Sequence, residues 1–489
     1  MDRRQFHRTL AGMAAAALAG RSGLAAVKDT DKPNILWLIA EDCGPELGCY
    51  GDTVARTPRI DALAREGMRF ENAFCTGPVC SPSRSALFTG MYATSIDAQH
   101  HRSHRNDGYR LPEGVRLMTD GLRDAGYFSC NATYVKRDSL VPGKTDFNFT
   151  AEKPFDGVDW RERPEGKPFF AAVNFSEAHR GGSYKEVTKM ADRTDPATVK
   201  VPPYYPDEPA VRQDIADYYD VMRMLDEKVG QVLDRLAADG LAENTIVFFF
   251  GDNGRCWVRG KQWLYEGGIR EALILRVPER FRSLVDGLSK RAMPVGNARV
   301  MARPEAPSVG ACTAYHPGGT CAALTSYIDL PVTTLLLAGA ALPPRFDGRC
   351  LFGGAASDYV IAARDRCDET VDRIRCVRTP RYKYIRNFMP ERPYLQPNRY
   401  IEANYPVLQV LKDGAAAGTL KGAEAIMTQS TRPAEELYDL QSDPDEIHNL
   451  ADDPEHQEEL MRLRRTLDEW IKATDDKGAY PEKASAVSK

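Results

Sequence analysis

The chain has 489 residues, of which 43% are hydrophobic, and its formal net charge is −4. This length and apolar content are enough for a large core, and they correspond to two or three domains' worth of chain. The nearly balanced charge provides no overall basic field, which argues against a nucleic-acid partner. An anionic substrate therefore has to meet positive charge that is concentrated at one local site.

The first 28 residues predict an export signal rather than part of the fold. Arg3 and Arg4 precede a short apolar run from residue 10 to residue 20, and small residues follow. This order is typical of a twin-arginine signal. The apolar run is too short and too rich in alanine to span a bilayer comfortably. We therefore predict a periplasmic or secreted protein without a stable membrane span, and a membrane anchor is the alternative interpretation.

An exported protein can form disulfide bonds, and this chain has eleven cysteines. Cys312 and Cys321 lie on either side of a turn that contains glycine and proline, and they are the pair that the sequence favours. The remaining connectivity cannot be read from the sequence.

Three continuous apolar runs predict buried parallel strands at residues 34–40, 168–175 and 245–250. Between the last two, residues 210–238 have apolar side chains at three- and four-residue steps, which predicts a helix. Strands that alternate with helices indicate an α/β fold, with a large, mostly parallel or mixed sheet flanked by helices. Functional sites in such sheets gather at the carboxyl ends of the strands.

The pattern changes after about residue 345, which divides the chain into a predicted catalytic domain (29–345) and a C-terminal subdomain (346–489). Residues 381–385 and 437–440 predict strands, and residues 454–472 predict a helix. These elements are typical of a smaller α+β unit with an antiparallel sheet.

A Cys-x-Pro-Ser-Arg motif begins at Cys80. Its proline suits the first turn of a helix, which places residue 80 near the helix N-terminus. Unpaired backbone N–H groups favour an anion there. Taken alone, the motif also fits a buried structural cysteine.

Oxygen-bearing side chains follow two of the predicted strands. Glu41 and Asp42 end the first strand, and Asp252 and Asn253 end the third. Carboxylate and amide oxygens suit a hard divalent cation, calcium above all, and the lack of cysteine and histidine argues against zinc. Each pair alone also fits solvated acids at a strand end. The four together predict one calcium ion per chain.

These motifs resemble those of the type I sulfatases of the alkaline-phosphatase-like superfamily, in the polysaccharide-sulfatase-like branch. The similarity covers nearly the whole mature chain and is most specific in the cysteine motif and in residues 260–270. It implies an alkaline-phosphatase-like fold and a calcium site at residues 41, 42, 252 and 253. It also implies that a formylglycine-generating or sulfatase-maturating enzyme oxidises Cys80 to formylglycine, whose hydrate attacks sulfur.

The same resemblance assigns roles to four further residues. It implies that Arg84 pairs with the hydrate and with the metal-binding acids, and that Lys144 and Lys261 hold the sulfate. It implies that His179 protonates or binds the leaving oxygen.

Two positions depart from the family pattern. Residue 41 is glutamate where the family usually has aspartate, and glutamate reaches one methylene further. Asp146 stands where many members place a histidine, two residues after the second lysine. This second departure leaves the hydrogen bonding around Lys144 open.

Two basic clusters bear on the substrate. His101 and Arg102, within a histidine- and arginine-rich stretch at residues 100–105, are the predicted substrate-binding pair at the pocket mouth, and an exposed polar loop is the alternative. A second arginine-rich run, residues 364–392, is similar to segments of polysaccharide-directed sulfatases, including the branch related to heparan N-sulfatases. It predicts a sulfated, uronic-acid-containing glycan. The other interpretation is that this run binds the two domains together.

The sequence therefore predicts a sulfatase that hydrolyses sulfate esters of a sulfated oligo- or polysaccharide. Three alternatives stay open: an N-sulfoglucosamine-type sulfamidase, a phosphonate or phosphate diester hydrolase, and a non-catalytic protein that binds sulfated glycans. Sulfate and phosphate centres are alike in shape and differ in charge, so the sequence separates the hydrolases poorly. The complete set of Cys80, Arg84, Lys261 and Asp252 argues against the non-catalytic alternative.

Overall fold

A computed structural model describes residues 32–102, 107–136, 139–290, 312, 314–353, 357–480 and 482. The predicted export signal at residues 1–28 lies outside the described residues. Within the described ranges, no helix combines the length and the apolar character that crossing a membrane requires.

The three apolar runs form the centre of a nine-stranded sheet. Strand β1 (Asn34–Ala40) pairs in parallel with β5 (Phe169–Phe175) on one side and with β6 (Thr245–Gly251) on the other. Every residue of these strands is buried, as expected for central strands that are covered on both faces. The three predicted strands are confirmed to within one residue at each end.

The remaining strands make the sheet mixed. They are β2 (Met68–Phe74), β3 (Phe128–Lys136), β4 (Ser139–Pro142), β7 (Arg270–Glu271), β8 (Leu273–Arg276) and β9 (Thr320–Ser326). The order across the sheet is β4-β3-β5-β1-β6-β8-β2-β7, and β9 pairs with β2. β3 and β9 run parallel to their partners β5 and β2, whereas β4, β7 and β8 are antiparallel to theirs.

The helices occupy the chain between these strands and after them. In chain order they are α1 (Pro58–Glu66), α2 (Cys80–Thr89), α3 (Met118–Asp124), α4 (Gly182–Glu186), α5 (Pro209–Ala238), α6 (Glu266–Ile269), α7 (Arg282–Ser289), α8 (Asp329–Leu337), α9 (Arg399–Asn404), α10 (Pro406–Ala417) and α11 (Gln457–Thr474). The long helix α5 confirms the helix predicted at 210–238. Its periodic apolar residues, among them Val221, Leu225 and Val229, are buried.

A second, four-stranded sheet follows in the C-terminal part. Strands β10 (Val360–Arg364), β11 (Ile374–Arg378), β12 (Tyr382–Asn387) and β13 (Glu435–Asp439) are antiparallel in that order. Helix α11 shares an apolar cluster with this sheet. The predicted α+β unit is therefore confirmed, while the boundary near residue 345 falls between β9 and β10 and stays a prediction.

The arginine-rich run 364–392 makes ion pairs inside the protein. Arg375 is fully buried and lies 2.8 Å from Asp476. Arg378 and Lys383 both reach Glu266 in helix α6, at 3.4 and 2.9 Å. Because α6 precedes the C-terminal sheet by about a hundred residues in the chain, these pairs support the interpretation that the run binds two parts of the chain together.

One disulfide joins Cys312 to Cys321. It confirms the pair that the sequence favoured. The other cysteines, all of which the structure describes, are free. Cys80 is thus available for modification.

Candidate active site

The carboxyl ends of β1 and β6 bring the four predicted metal ligands together. The backbone N–H of Asp42 donates to Asp252 Oδ1 at 3.2 Å, and Asn253 Nδ2 donates to Asp42 Oδ1 at 2.9 Å. Glu41 is 7% exposed, and the other three residues are fully buried. Adjacent parallel strands end at one edge of the sheet, which is why two pairs about 210 residues apart form one cluster.

This cluster has the composition of a site for a hard cation. Three carboxylates and one amide supply oxygen atoms, which calcium prefers. Asn253 Oδ1 is buried, and among the described residues it has no hydrogen-bond partner. Buried polar atoms normally have one. The residues therefore fit a divalent cation held at the ends of β1 and β6.

Cys80 is the first residue of helix α2, as the position of the proline in the motif predicts. Its side chain is fully buried, and its Sγ atom lies 3.4 Å from Lys261 Nζ and 4.0 Å from Asp42 Oδ1. Burial raises the pKa of the Cys80 thiol to about 12, against the opposing effect of the nearby lysines. An unmodified thiol here is protonated near neutral pH and is a weak nucleophile.

Arg84 lies one turn further along α2 and is also fully buried. Its Nε atom donates to Asp252 Oδ2 at 2.9 Å, and its Nη1 atom donates to Asn174 Oδ1 at 2.7 Å. Its Nη2 atom is 3.8 Å from Glu41 Oε1. Arg84 thus contacts the acid cluster as predicted. Asn174, at the end of β5, is a partner that the sequence did not assign.

The two predicted sulfate-binding lysines are held by the acids of the cluster. Lys261 Nζ donates to both carboxylate oxygens of Asp42, at 2.8 and 2.9 Å. Lys144 Nζ donates to Glu41 Oε2 at 3.1 Å and lies 3.6 Å from Asp146 Oδ2. Asp146 therefore makes an ion pair with Lys144.

The segment that carries Lys261 is folded tightly against the cysteine motif. The backbone N–H of Gln262 donates to the carbonyl of Pro78, two residues before Cys80, at 2.7 Å. A Cβ atom on Gly268 would lie 2.3 Å from the carbonyl oxygen of Gly260, so this close approach of two backbone segments requires glycine.

His179 follows β5, and its ring is fixed by the next residue. Its Nδ1 atom lies 3.0 Å from the carbonyl oxygen of Arg180. A carbonyl only accepts hydrogen bonds, so Nδ1 carries a proton and Nε2 is the nitrogen that exchanges protons. Arg180 in turn donates to Asp214 Oδ2 of helix α5 at 2.6 Å. Burial, reinforced by the positive charge of Lys261, lowers the pKa of His179.

His101 and Arg102 occupy different depths. His101 is 2% exposed, so it lies deeper than the predicted pocket mouth. One of its ring nitrogens, the sulfur of Cys80 and a carboxylate oxygen of Asp146 lie within 4.8 Å of one another. The side chain of Arg102 is 38% exposed and lies 3.7 Å from Asp368 Oδ1. Their role in substrate binding stays a prediction, and His104 and Arg105 lie outside the described residues.

Three residues of the C-terminal part reach the site without any signal in the sequence. Asp368 lies in a tight turn, 3.2 Å from His101 Nδ1. Asn398 Nδ2 is 3.4 Å from Asp368 Oδ2, and the ring centroid of Tyr400 is 5.6 Å from Lys261 Nζ. More than a hundred residues separate these side chains from the motifs that they contact, so no local pattern reports them.

We expect the protein to lose stability on acidification because of its buried histidines. Burial lowers the pKa of both His101 and His179, whereas an unfolded histidine titrates near about 6.5. The two neutral histidines therefore contribute to the free energy of unfolding above the pKa of an unfolded histidine. This contribution is lost as the pH falls towards and through their lower pKa in the folded protein. Urea midpoints measured from about pH 7 to about pH 5 should therefore fall. His101→Asn should flatten that fall, while the same change at the exposed His316 should not. An equally steep fall in the His101 variant would contradict this cause.

The fold and the site define the class of the protein. The site combines a buried cysteine motif at a helix N-terminus with three cations and an oxygen-rich acid cluster. The family model for sulfatases matches residues 33–162 and 155–302. The chain belongs to the sulfatase family and is a sulfuric ester hydrolase.

Individual relatives agree with this assignment. An ulvan-active sulfatase of Formosa agariphila is 32% identical over 506 residues, which cover 93% of this chain and 77% of that protein. The N-sulphoglucosamine sulphohydrolase of Homo sapiens is 29% identical over 482 residues, which cover 91% of this chain and 90% of that protein. A solved 2-O GAG sulfatase has the same fold, with a TM-score of 0.60 and 21% identity over 92% of this chain and 94% of that chain. The predicted type I sulfatase of the polysaccharide-sulfatase branch is confirmed.

Proposed function

We propose that the protein is a calcium-dependent sulfatase that hydrolyses a sulfate ester of a sulfated saccharide and carries formylglycine at position 80. The observation that carries this proposal is the placement of residue 80, which is buried between Lys261 Nζ at 3.4 Å and the acid cluster at the ends of β1 and β6. The relatives named for ulvan and for N-sulphoglucosamine support a sulfated polysaccharide or glycosaminoglycan fragment as the substrate class.

The charges at the site suit a sulfate monoester. Arg84, Lys144 and Lys261 surround residue 80, and each is paired with a carboxylate. A sulfuryl group that enters beside residue 80 offers its oxygens to the lysines in place of those carboxylates. Such fixed cations stabilise the charge that develops on a reacting group, and removing one typically lowers the rate by about 10²–10³.

Two groups that the chain would carry complete the centre. Calcium, held by Glu41, Asp42, Asp252 and Asn253, would neutralise part of the charge on the sulfuryl oxygens. Formylglycine would supply a hydrated aldehyde as the nucleophile in place of the thiol of Cys80.

His179 is the general acid in this proposal. The carbonyl of Arg180 orients its ring, so Nε2 is the nitrogen that gives a proton to the leaving oxygen. The pair of Arg180 with Asp214 holds this part of the chain against helix α5. The alcohol thus leaves in neutral form, while the cations retain the sulfate.

Export and maturation belong to the same proposal. The predicted twin-arginine signal at residues 1–28 would direct the protein to the periplasm or the medium, and a cysteine-accepting maturating enzyme would modify Cys80. Mass spectrometry of the exported protein tests both statements, because it reports the mature N-terminus and the mass of the peptide that contains residue 80. An intact N-terminus or an unmodified cysteine would contradict them.

The proposed calcium site predicts a metal-dependent melting temperature. A ligand that binds only the folded state at 100 times its Kd stabilises that state by about 2.7 kcal/mol. We therefore expect calcium to raise the melting temperature of chelator-treated protein, as measured by differential scanning calorimetry. Asn253→Leu should remove most of this response. Equal melting temperatures of the parent protein in calcium and in chelator would contradict the site.

The function itself is tested by release of inorganic sulfate from a panel of substrates. The protein is purified after co-expression with a cysteine-type maturating system, and the panel contains ulvan oligosaccharides, O-sulfated hexosamines, glucosamine N-sulfate and a phosphonate monoester. We expect sulfate from at least one O-sulfated saccharide. Release from the N-sulfate alone would establish a sulfamidase instead, and cleavage of the phosphonate alone would establish the rival hydrolase.

A further inference from the structure

Tyr400 lies beside two residues of the proposed sulfatase centre. Its ring centroid is 5.6 Å from Lys261 Nζ and 5.6 Å from the ring centroid of His179. In the proposed function, Lys261 marks the position of the sulfate and His179 marks that of the leaving oxygen. Tyr400 therefore lies next to the bond that is cleaved, although it comes from the C-terminal part of the chain.

Local contacts hold Tyr400 in this position. Asn398 caps helix α9, because its Oδ1 atom accepts a hydrogen bond from the backbone N–H of Ile401 at 3.0 Å. The Nδ2 atom of the same Asn398 lies 3.4 Å from Gln262 Oε1, next to Lys261 in the chain. The ring of Tyr405 packs edge-on against Tyr400, with centroids 5.9 Å apart. Tyr400 is thus placed before any substrate binds.

The hydroxyl of Tyr400 is a buried donor without an acceptor among the residues that the structure describes. Its Oη atom makes no hydrogen bond to any residue that the structure describes, although buried hydroxyls normally make one. The nearby Lys261 ammonium has no lone pair and cannot accept the phenol proton. Its own N–H groups are directed to Asp42 and to Cys80. The described residues therefore offer the proton of Tyr400 no acceptor, and an oxygen of a bound ligand can take that place.

We propose that Tyr400 Oη donates a hydrogen bond to an oxygen of the bound sulfuryl group, so that helix α9 supplies a substrate-binding residue to the active site. This inference rests on the proposed function, which places the sulfuryl group between Lys261 and His179. Sulfuryl oxygens are acceptors and provide the partner that the described residues do not supply. Burial raises the pKa of Tyr400, which keeps the phenol protonated and able to donate.

The test compares two phenylalanine substitutions in the full-length, matured protein. Tyr400→Phe removes only the proposed donor, and inorganic sulfate is the binding probe, followed by isothermal titration calorimetry. We expect the Kd for sulfate to rise roughly tenfold or more and kcat/KM to fall by a similar factor, as for the loss of one hydrogen bond to a charged group. The melting temperature should not fall, because the hydroxyl has no partner to lose among the described residues.

Tyr219→Phe is the matched control. Its hydroxyl donates to Asp52 Oδ2 at 2.7 Å, away from the residues of the proposed centre. Removing it should lower the melting temperature and leave sulfate affinity and kcat/KM unchanged. This variant measures how much the melting temperature falls when a hydroxyl loses a partner inside the protein and sulfate binding is not involved.

Two results would overturn the assignment of Tyr400. They are an unchanged sulfate Kd in Tyr400→Phe, with or without a lowered melting temperature, and a parent protein that binds no inorganic sulfate. Sulfate binding needs no turnover, so this test is separate from that of the proposed function. A parent that binds sulfate but releases none from the substrate panel contradicts the proposed function and leaves the comparison of the two variants valid.

Discussion

Cys80→Ala is expected to abolish sulfate release while the protein stays folded. If residue 80 provides the nucleophile, its loss removes the chemical step itself, and comparable knockouts lower kcat by about 10⁴ or more. In protein made without the maturating enzyme, the change deletes one buried sulfur atom at the start of α2, and the cavity costs about 1–2 kcal/mol of stability. Ion chromatography of released sulfate and a urea unfolding curve measure the two effects separately.

Cys376→Ala is the control for this substitution. Cys376 is equally buried, but it lies in strand β11 of the C-terminal sheet. It should lose a similar amount of stability and keep its activity. Residual activity of Cys80→Ala within about tenfold of the parent would contradict a nucleophile at position 80. A parent that binds sulfated glycans and shows no hydrolysis would instead revive the non-catalytic alternative.

Replacing Arg84 by methionine should have the largest effect on stability. Arg84 and Asp252 are both fully buried and lie 2.9 Å apart. Breaking such a pair leaves one charge uncompensated in the interior, which costs about 3–5 kcal/mol. Burial already raises the pKa of Asp252, and Arg84 opposes that effect. Urea unfolding in the presence of a chelator measures the loss without the contribution of calcium.

Two further variants separate the effect of losing the positive charge of Arg84 on stability from the effect of losing its planar guanidinium group. Arg84→Lys keeps the positive charge but cannot reach Asp252 and Asn174 with one planar group, so its stability should lie between those of the parent and the methionine variant. The double variant Arg84→Met, Asp252→Asn should recover part of the loss, because no buried charge remains unpaired. A loss below about 1 kcal/mol in Arg84→Met would contradict this account of the pair.

The sequence by itself determined the central architecture and the members of the acid cluster. Continuous apolar runs of this length are typical of strands that are covered on both faces, so residues 34–40 and 245–250 predicted central strands. The side chains that follow such strands must lie at one edge of the sheet, which brings Glu41 next to Asp252. The cysteine motif is likewise local, because the first turn of a helix depends on the few residues that form it.

Only the tertiary structure decided which distant side chains complete the site. Asp368 reaches His101, and Tyr400 reaches Lys261, through the packing of the C-terminal part against the large sheet. No pattern near them in the chain predicts that packing. The depth of His101 also depends on it, because Asp368 Oδ1 from that part of the chain lies 3.2 Å from His101 Nδ1. The arginines after residue 364 had two interpretations, and the ion pair of Arg378 with Glu266 supports the one in which the run binds two parts of the chain together. The pattern of apolar residues in the sequence predicts local secondary structure. Contacts between distant segments depend instead on how the sheets and helices pack against one another.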